Sequence, residues 1–206
     1  MARRPIWLGG GSLLLQDVRG SALLEFAITL PLLVVFVVGI YDFSGAFNQK
    51  QKIAQAAQEG AIVAGAQPMT DIAVGLSGPP SQPASLLPVA TAVFNSLAGS
   101  GVLQNANLGT CLPPTAATAQ AGLTWTYRVS GCANVAGDLL ITINRGWMCT
   151  SGPACTSGPP VSIGTVVGVQ YPYNWQFNTV IHLLIPGANY AATTQLTEHA
   201  TVHNQL

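Results

Sequence analysis

Charge is what this sequence has least of. Charged side chains make up 7% of the 206 residues, and seven Lys+Arg offset seven Asp+Glu; an average soluble domain carries about 25%. With no basic surplus there is no electrostatic footprint for nucleic acid, and no acidic tail is present. Only six of the fourteen charges follow residue 58. The long C-terminal part is therefore nearly uncharged, which suits a chain packed into an assembly or tethered to a surface. Cysteine is also sparse, at Cys111, Cys132, Cys149 and Cys155. The CxxC pairs of a structural zinc site are missing. An even count downstream of an apolar segment points to disulfides in an oxidising compartment. Sequence permits three pairings. The expected one is Cys149–Cys155 closing the short TSGPA loop, with Cys111–Cys132 as the longer closure.

Convergent polar chemistry is lacking as well. Gly9–Gly11 has no strand before it and no Lys-Ser/Thr after it, so it is not a phosphate loop. No G-x-S-x-G turn is present to carry a nucleophile. His199 and His203 lie four apart beside Glu198. On a helix that spacing serves one metal ion, but the surrounding alternation predicts a strand. On a strand the two imidazoles stand about 13 Å apart and face solvent. Trp125, Tyr127, Trp147 and Trp175 are expected as strand-face core and edge residues rather than as a carbohydrate groove. The expectation is a non-enzymatic chain with no catalytic, metal or cofactor-binding residues.

What the chain does have is one long hydrophobic run. Residues 22–41 contain a single charge, Glu25. Twenty residues span about 30 Å as a helix, the thickness of a bilayer core. Arg3, Arg4 and Arg19 precede the run, and Lys50 and Lys52 follow it. The slight bias places the N-terminus in the cytoplasm and the cysteines on the oxidising side. An ionisable group inside such a run is expensive, so Glu25 is a functional residue by default.

Helical character continues past the apolar run. Residues 43–67 are rich in Ala and Gln with no proline before Pro68. Phe43, Phe47, Ala54, Ala57, Ala61 and Ala64 form one weakly apolar stripe. This predicts one continuous helix over about 21–66, half in lipid and half outside. Its small residues, with Gly60 and Gly65, let another helix approach closely. Residues 68–88 read as a Pro/Gly/Ser-rich linker. A short helix after Pro88 shows Val89, Val93, Phe94 and Leu97 on one face. Beyond about 105 the apolar period changes to two, predicting strands in 123–130, 138–147, 161–171 and 190–203. A short apolar helix is expected at about 178–185. The whole is an α+β chain: leader 1–20, helix 21–67 with 21–41 in the membrane, linker 68–88, and a head 89–206 with a small antiparallel sheet and one or two short helices.

The residues around Glu25 follow a recognisable grammar. Arg19 and Gly20 are followed by Ser21, then Glu25 at the fifth position after the glycine, Phe26 at the sixth, and Pro31. This resembles the class III signal of type IV prepilins, and the pattern G-S-A-L-L-E-F-A-x-x-L-P followed by an apolar run resembles the TadE-like family of minor pseudopilins. The resemblance covers residues 19–66. It implies a pilin-like fold and cleavage by a prepilin peptidase between Gly20 and Ser21. It also implies assembly through Glu25, Phe26 and Pro31 with other pilin-like subunits and the inner-membrane machinery of a tight-adherence (Flp) pilus. Cleavage would free an α-amine at Ser21, cationic for most of the time at neutral pH, with a reference pKa of about 7.7–8.0. Ser21 and Glu25 are one helical turn apart, so that ammonium is a ready partner for the carboxylate within one subunit or between neighbours. The other reading is an uncleaved single-pass anchor carrying a periplasmic binding module.

Overall fold

A computed structural model describes residues 18–72, 80–103, 109–148, 163–175 and 193–204. The expected helix at 178–185 and the residues Cys149 and Cys155 lie outside them. Helix α1, Val18–Ala66, runs unbroken for 49 residues, about 74 Å at 1.5 Å per residue. It starts three residues before Ser21. Pro31 sits inside it, although proline has no N–H to give the preceding turn. The Thr29 hydroxyl donates to the carbonyls of Glu25 (2.9 Å) and Phe26 (3.3 Å) in that same stretch.

After α1 come a 3-10 turn, Thr70–Ile72, and helix α2, Leu87–Gly99. Five strands follow: β1 Ala119–Ala121, β2 Thr124–Val129, β3 Leu139–Met148, β4 Ile163–Asn174 and β5 Thr193–His203. They pair in chain order, each antiparallel to the next. The alternation read from sequence decides the faces. Trp125, Tyr127 and Val129, then Leu139, Ile141 and Ile143, then Val167, Val169 and Tyr171 are all buried on one side. Leu196, Ala200 and Val202 of β5 pack against the same core. The other side carries threonines, amides, His199 and His203, so the sheet is one-sided, as antiparallel sheets permit. β1 was not foreseen: three residues of Ala-Gln-Ala show no alternation. Its hairpin to β2 turns at Gly122, whose φ of 58° is the left-handed conformation that such two-residue loops require.

Both helices cover the buried face of the sheet. α2 contributes Val89, Ala90, Val93, Phe94 and Leu97, the expected face. Proline in its first turn suits a helix start. Its end is a Schellman closure: Val102 N–H donates to Leu97 O (3.0 Å) and Gly101 N–H to Ala98 O (3.1 Å), with Gly101 at φ 71°. Lys52 of α1 adds its Nζ to the Ser100 carbonyl at 2.9 Å. The second half of α1 buries Ala46, Ile53, Ala56, Ala57, Ala61 and Ala64. This corrects the expected stripe, because Phe43 and Phe47 are exposed instead. At Gly60 an added Cβ would collide with Val93 of α2. The close helix approach that the small residues predicted is therefore made by α2 of the same chain.

α1 lies along β4. Its Gly45 meets Tyr173 and its Gly60 meets Val167. Fifteen helical residues rise about 22 Å and six strand residues about 20 Å, so the two run nearly side by side in opposite directions. Among the described residues a disulfide, Cys111–Cys132, closes a separation of 21 residues, a loop for which chain-entropy arguments give about 3 kcal/mol. Tyr171 Oη donates to the Cys132 carbonyl at 3.1 Å, tying that closure to the core.

Candidate assembly and processing site

The sequence singles out Gly20, Ser21, Glu25, Phe26 and Pro31, and all five sit in the first four turns of α1. Helical geometry stacks Ser21 and Glu25 on one face, with Phe26 turned about 100° further round. Gly20 has open space around it. Glu25 is exposed, and Phe26 is 62% exposed. None of the five is buried. The Gly20–Ser21 bond lies in the opening turn, where N–H groups have no intrahelical partner and unwinding is easiest.

Exposure defines this region. From Gly20 to Tyr41 no side chain is buried, although Leu23, Leu24, Ile28, Leu33, Phe36 and Ile40 are all large and apolar. Water is a poor solvent for such a surface. Each fully buried Leu, Ile or Phe gains about 1.5–3 kcal/mol, so this half of the helix belongs in lipid or against other helices. Among the described residues, α1 is the helix long and apolar enough to cross a membrane.

At the end of the apolar run a second cluster fastens the helix to the sheet. Asp42 is 3% exposed, and Tyr173 Oη donates to its Oδ1 (3.1 Å) and its backbone carbonyl (3.2 Å). Burial first, then the Asp42 carboxylate, push the Tyr173 phenol up to about 12. Beside this pair Phe43 meets Trp175 edge to face at 5.2 Å, and Trp175 meets Tyr173 at 5.1 Å. Trp175 Nε1 donates to Thr194 Oγ1 at 2.7 Å. About two turns above, Lys50 pairs with Glu198 of β5 at 3.0 Å. The far end of α1 is held by Arg145, which is fully buried. It donates to the carbonyls of Ala64 (3.0 Å), Gln67 and Pro68 (both 3.3 Å). A cation there neutralises the negative end of the helix dipole. Burial lowers the Arg145 pKa, and Asp71 opposes that shift. A register shift in β3 between Asn144 and Trp147 brackets Arg145, and Asn144 Oδ1 accepts from Gly146 N–H at 2.8 Å.

Sequence reasoning missed both fastenings. Arg145 was nevertheless readable, because it continues the inward series Leu139, Ile141, Ile143. Of the cysteine pairs considered, Cys111–Cys132 is bonded, and the other lies outside the described residues. His199 and His203 sit on the outward face of β5 and are exposed. Trp125 and Tyr127 are core residues; Trp125 Nε1 donates to Pro80 O at 3.1 Å.

No curated protein and no solved structure shows significant similarity to the chain. Residues 20–61 match the family model described as TadE-like protein, so the apolar helix and the turns that follow it are TadE-like, and the chain fits a membrane protein associated with the Tad pilus.

Proposed function

We propose that this chain is a minor pilin-like structural subunit of a tight-adherence (Flp, type IVb) pilus. A prepilin peptidase cuts it after Gly20. It resides in the inner membrane as a single-pass protein, N-terminus in the cytoplasm and head in the periplasm, and the apolar half of α1 then carries it into assembly with other pilin-like subunits. It works without a cofactor and catalyses nothing. The observation that carries this reading is Glu25 on an uncovered apolar helix, one turn from Ser21. A lone carboxylate in hydrocarbon is costly. Paired with a new α-ammonium it is tolerated, and the wrong helix register leaves both charges unmet. Glu25 therefore selects register as well as partner.

N-terminal sequencing of membrane-extracted protein tests this directly. The expected start is Ser21 in wild type and an intact residue 1–20 segment in Gly20→Ala. Glu25→Ala is expected to insert and be processed but to be depleted from sheared pili. Assembly equal to wild type in Glu25→Ala refutes the role given to the carboxylate.

An uncleaved anchor with a ligand-binding head is favoured by one observation. A polar cavity of about 560 Å³ lies between α1 and β4, lined by Asp42, Asn48, Gln49, Asn134 and Tyr173 among others. An intact leader in otherwise functional wild-type protein selects that reading.

A further inference from the structure

We infer that the head is seated on the bilayer from which α1 emerges, with Trp175, Tyr41 and Phe43 lying in the headgroup and glycerol layer. The inference rests on α1 crossing the membrane. Tyr41 ends the apolar run, and Phe43 is two residues further, about 3 Å along the helix axis. The Trp175 ring centre is 5.2 Å from that of Phe43. The polar layer flanking a hydrocarbon core is about 5–7 Å thick on each side. These lengths keep the Trp175 ring centre within about 8 Å of Tyr41 along the membrane normal, in or at the margin of that layer.

The chemistry fits the location. Tyr41 is 77% exposed and Phe43 69%, so their ring faces are not used up by packing against the head. Trp and Tyr favour the membrane–water boundary because an apolar body and a polar edge are satisfied together. Trp175 is half-buried, and its polar edge is already turned to Thr194 Oγ1, which fixes the ring. Asp42, the first acid after the run, is buried and accepts from Tyr173 Oη, so its carboxylate is shielded from lipid. The cluster contains no Lys or Arg. Its attraction is therefore to the interface itself and not to anionic lipid, and it is insensitive to salt. Two parts of the chain far apart in sequence, residues 41–43 and 173–175, thus enter one girdle, and the head is held at a set height instead of swinging on its helix.

The test uses the full chain reconstituted in phosphatidylcholine vesicles, with and without lipid brominated high on the acyl chains. The emission that disappears on Trp175→Phe, or on Trp175→Tyr, isolates the Trp175 signal. Brominated lipid is expected to quench most of that component. Adding anionic lipid or salt is expected to leave the quenching unchanged. Protein that floats with the vesicles while its Trp175 component stays unquenched overturns the inference and leaves the membrane span intact. Protein that does not float overturns both.

Discussion

The two halves of α1 are one helix with opposite solutions to the same problem. From Gly20 to Tyr41 most side chains are Leu, Val, Ile and Phe, and none is buried. From Asp42 to Ala66 they are Ala, Gly, Gln and others, and most of the small ones are buried. Large residues face a partner that adapts, lipid or a neighbouring helix. Small residues face a partner that is already built, the chain's own sheet and α2. Gly60 and Gly65 show how tight that second fit is: a Cβ at Gly65 would stand 3.0 Å from Val202. The helix is thus a shared element whose outer half belongs to the head and whose inner half is left open.

If that division holds, substitutions in the two halves separate cleanly. Arg145→Met has the largest expected effect. It strands three carbonyls at the end of α1, each costing about 1–3 kcal/mol when left unmet, so the head of detergent-solubilised protein should unfold at markedly lower urea. An unchanged midpoint would show that the fastening is dispensable. Gly60→Val comes next, at about 1–3 kcal/mol from overpacking against Val93, whereas Gly39→Val, with open space around it, should leave head stability untouched. Equal effects at the two glycines would erase the contrast. The smallest effect is alkaline. Burial pushes Tyr127 up to about 12, as it does with help from Asp42 at Tyr173. A raised folded-state value favours the protonated, folded form. Stability is therefore full below the unfolded phenol value of about 10 and lost as pH rises from there through 12. At pH 11 the loss through Tyr127 is about 1 kcal/mol. Near-UV circular dichroism of the head should fade there while α1 helicity in detergent persists.

Much of this molecule was open to reading from the chain alone, for a physical reason. Long periodic segments are governed by their own sequence, so α1, α2 and the inward faces of β2 to β5 followed from spacing. The motif around Glu25 was equally local. The features that escaped depend on residues far apart meeting in space. Nothing at Asp42 announces Tyr173, 131 positions away, and nothing near Ala64 announces Arg145. β1 escaped because its three residues have no pattern and exist as a strand only through β2. Phe43 and Phe47 were placed on the wrong side because hydrophobicity shows only that a residue avoids water. It does not show whether protein or lipid covers it.

The near-parallel course of α1 and β4 has a mechanical consequence. Under the proposed function, a subunit drawn out of the bilayer is pulled along its helix. Because helix and strand lie along one axis, such a load arrives as shear spread over the whole seam, with Tyr173 of β4 near one extremity and Arg145 of β3 holding the far end of the helix. A seam loaded in this way resists far better than one unzipped contact by contact, so the helix can act as a tow-line without tearing away from its cargo.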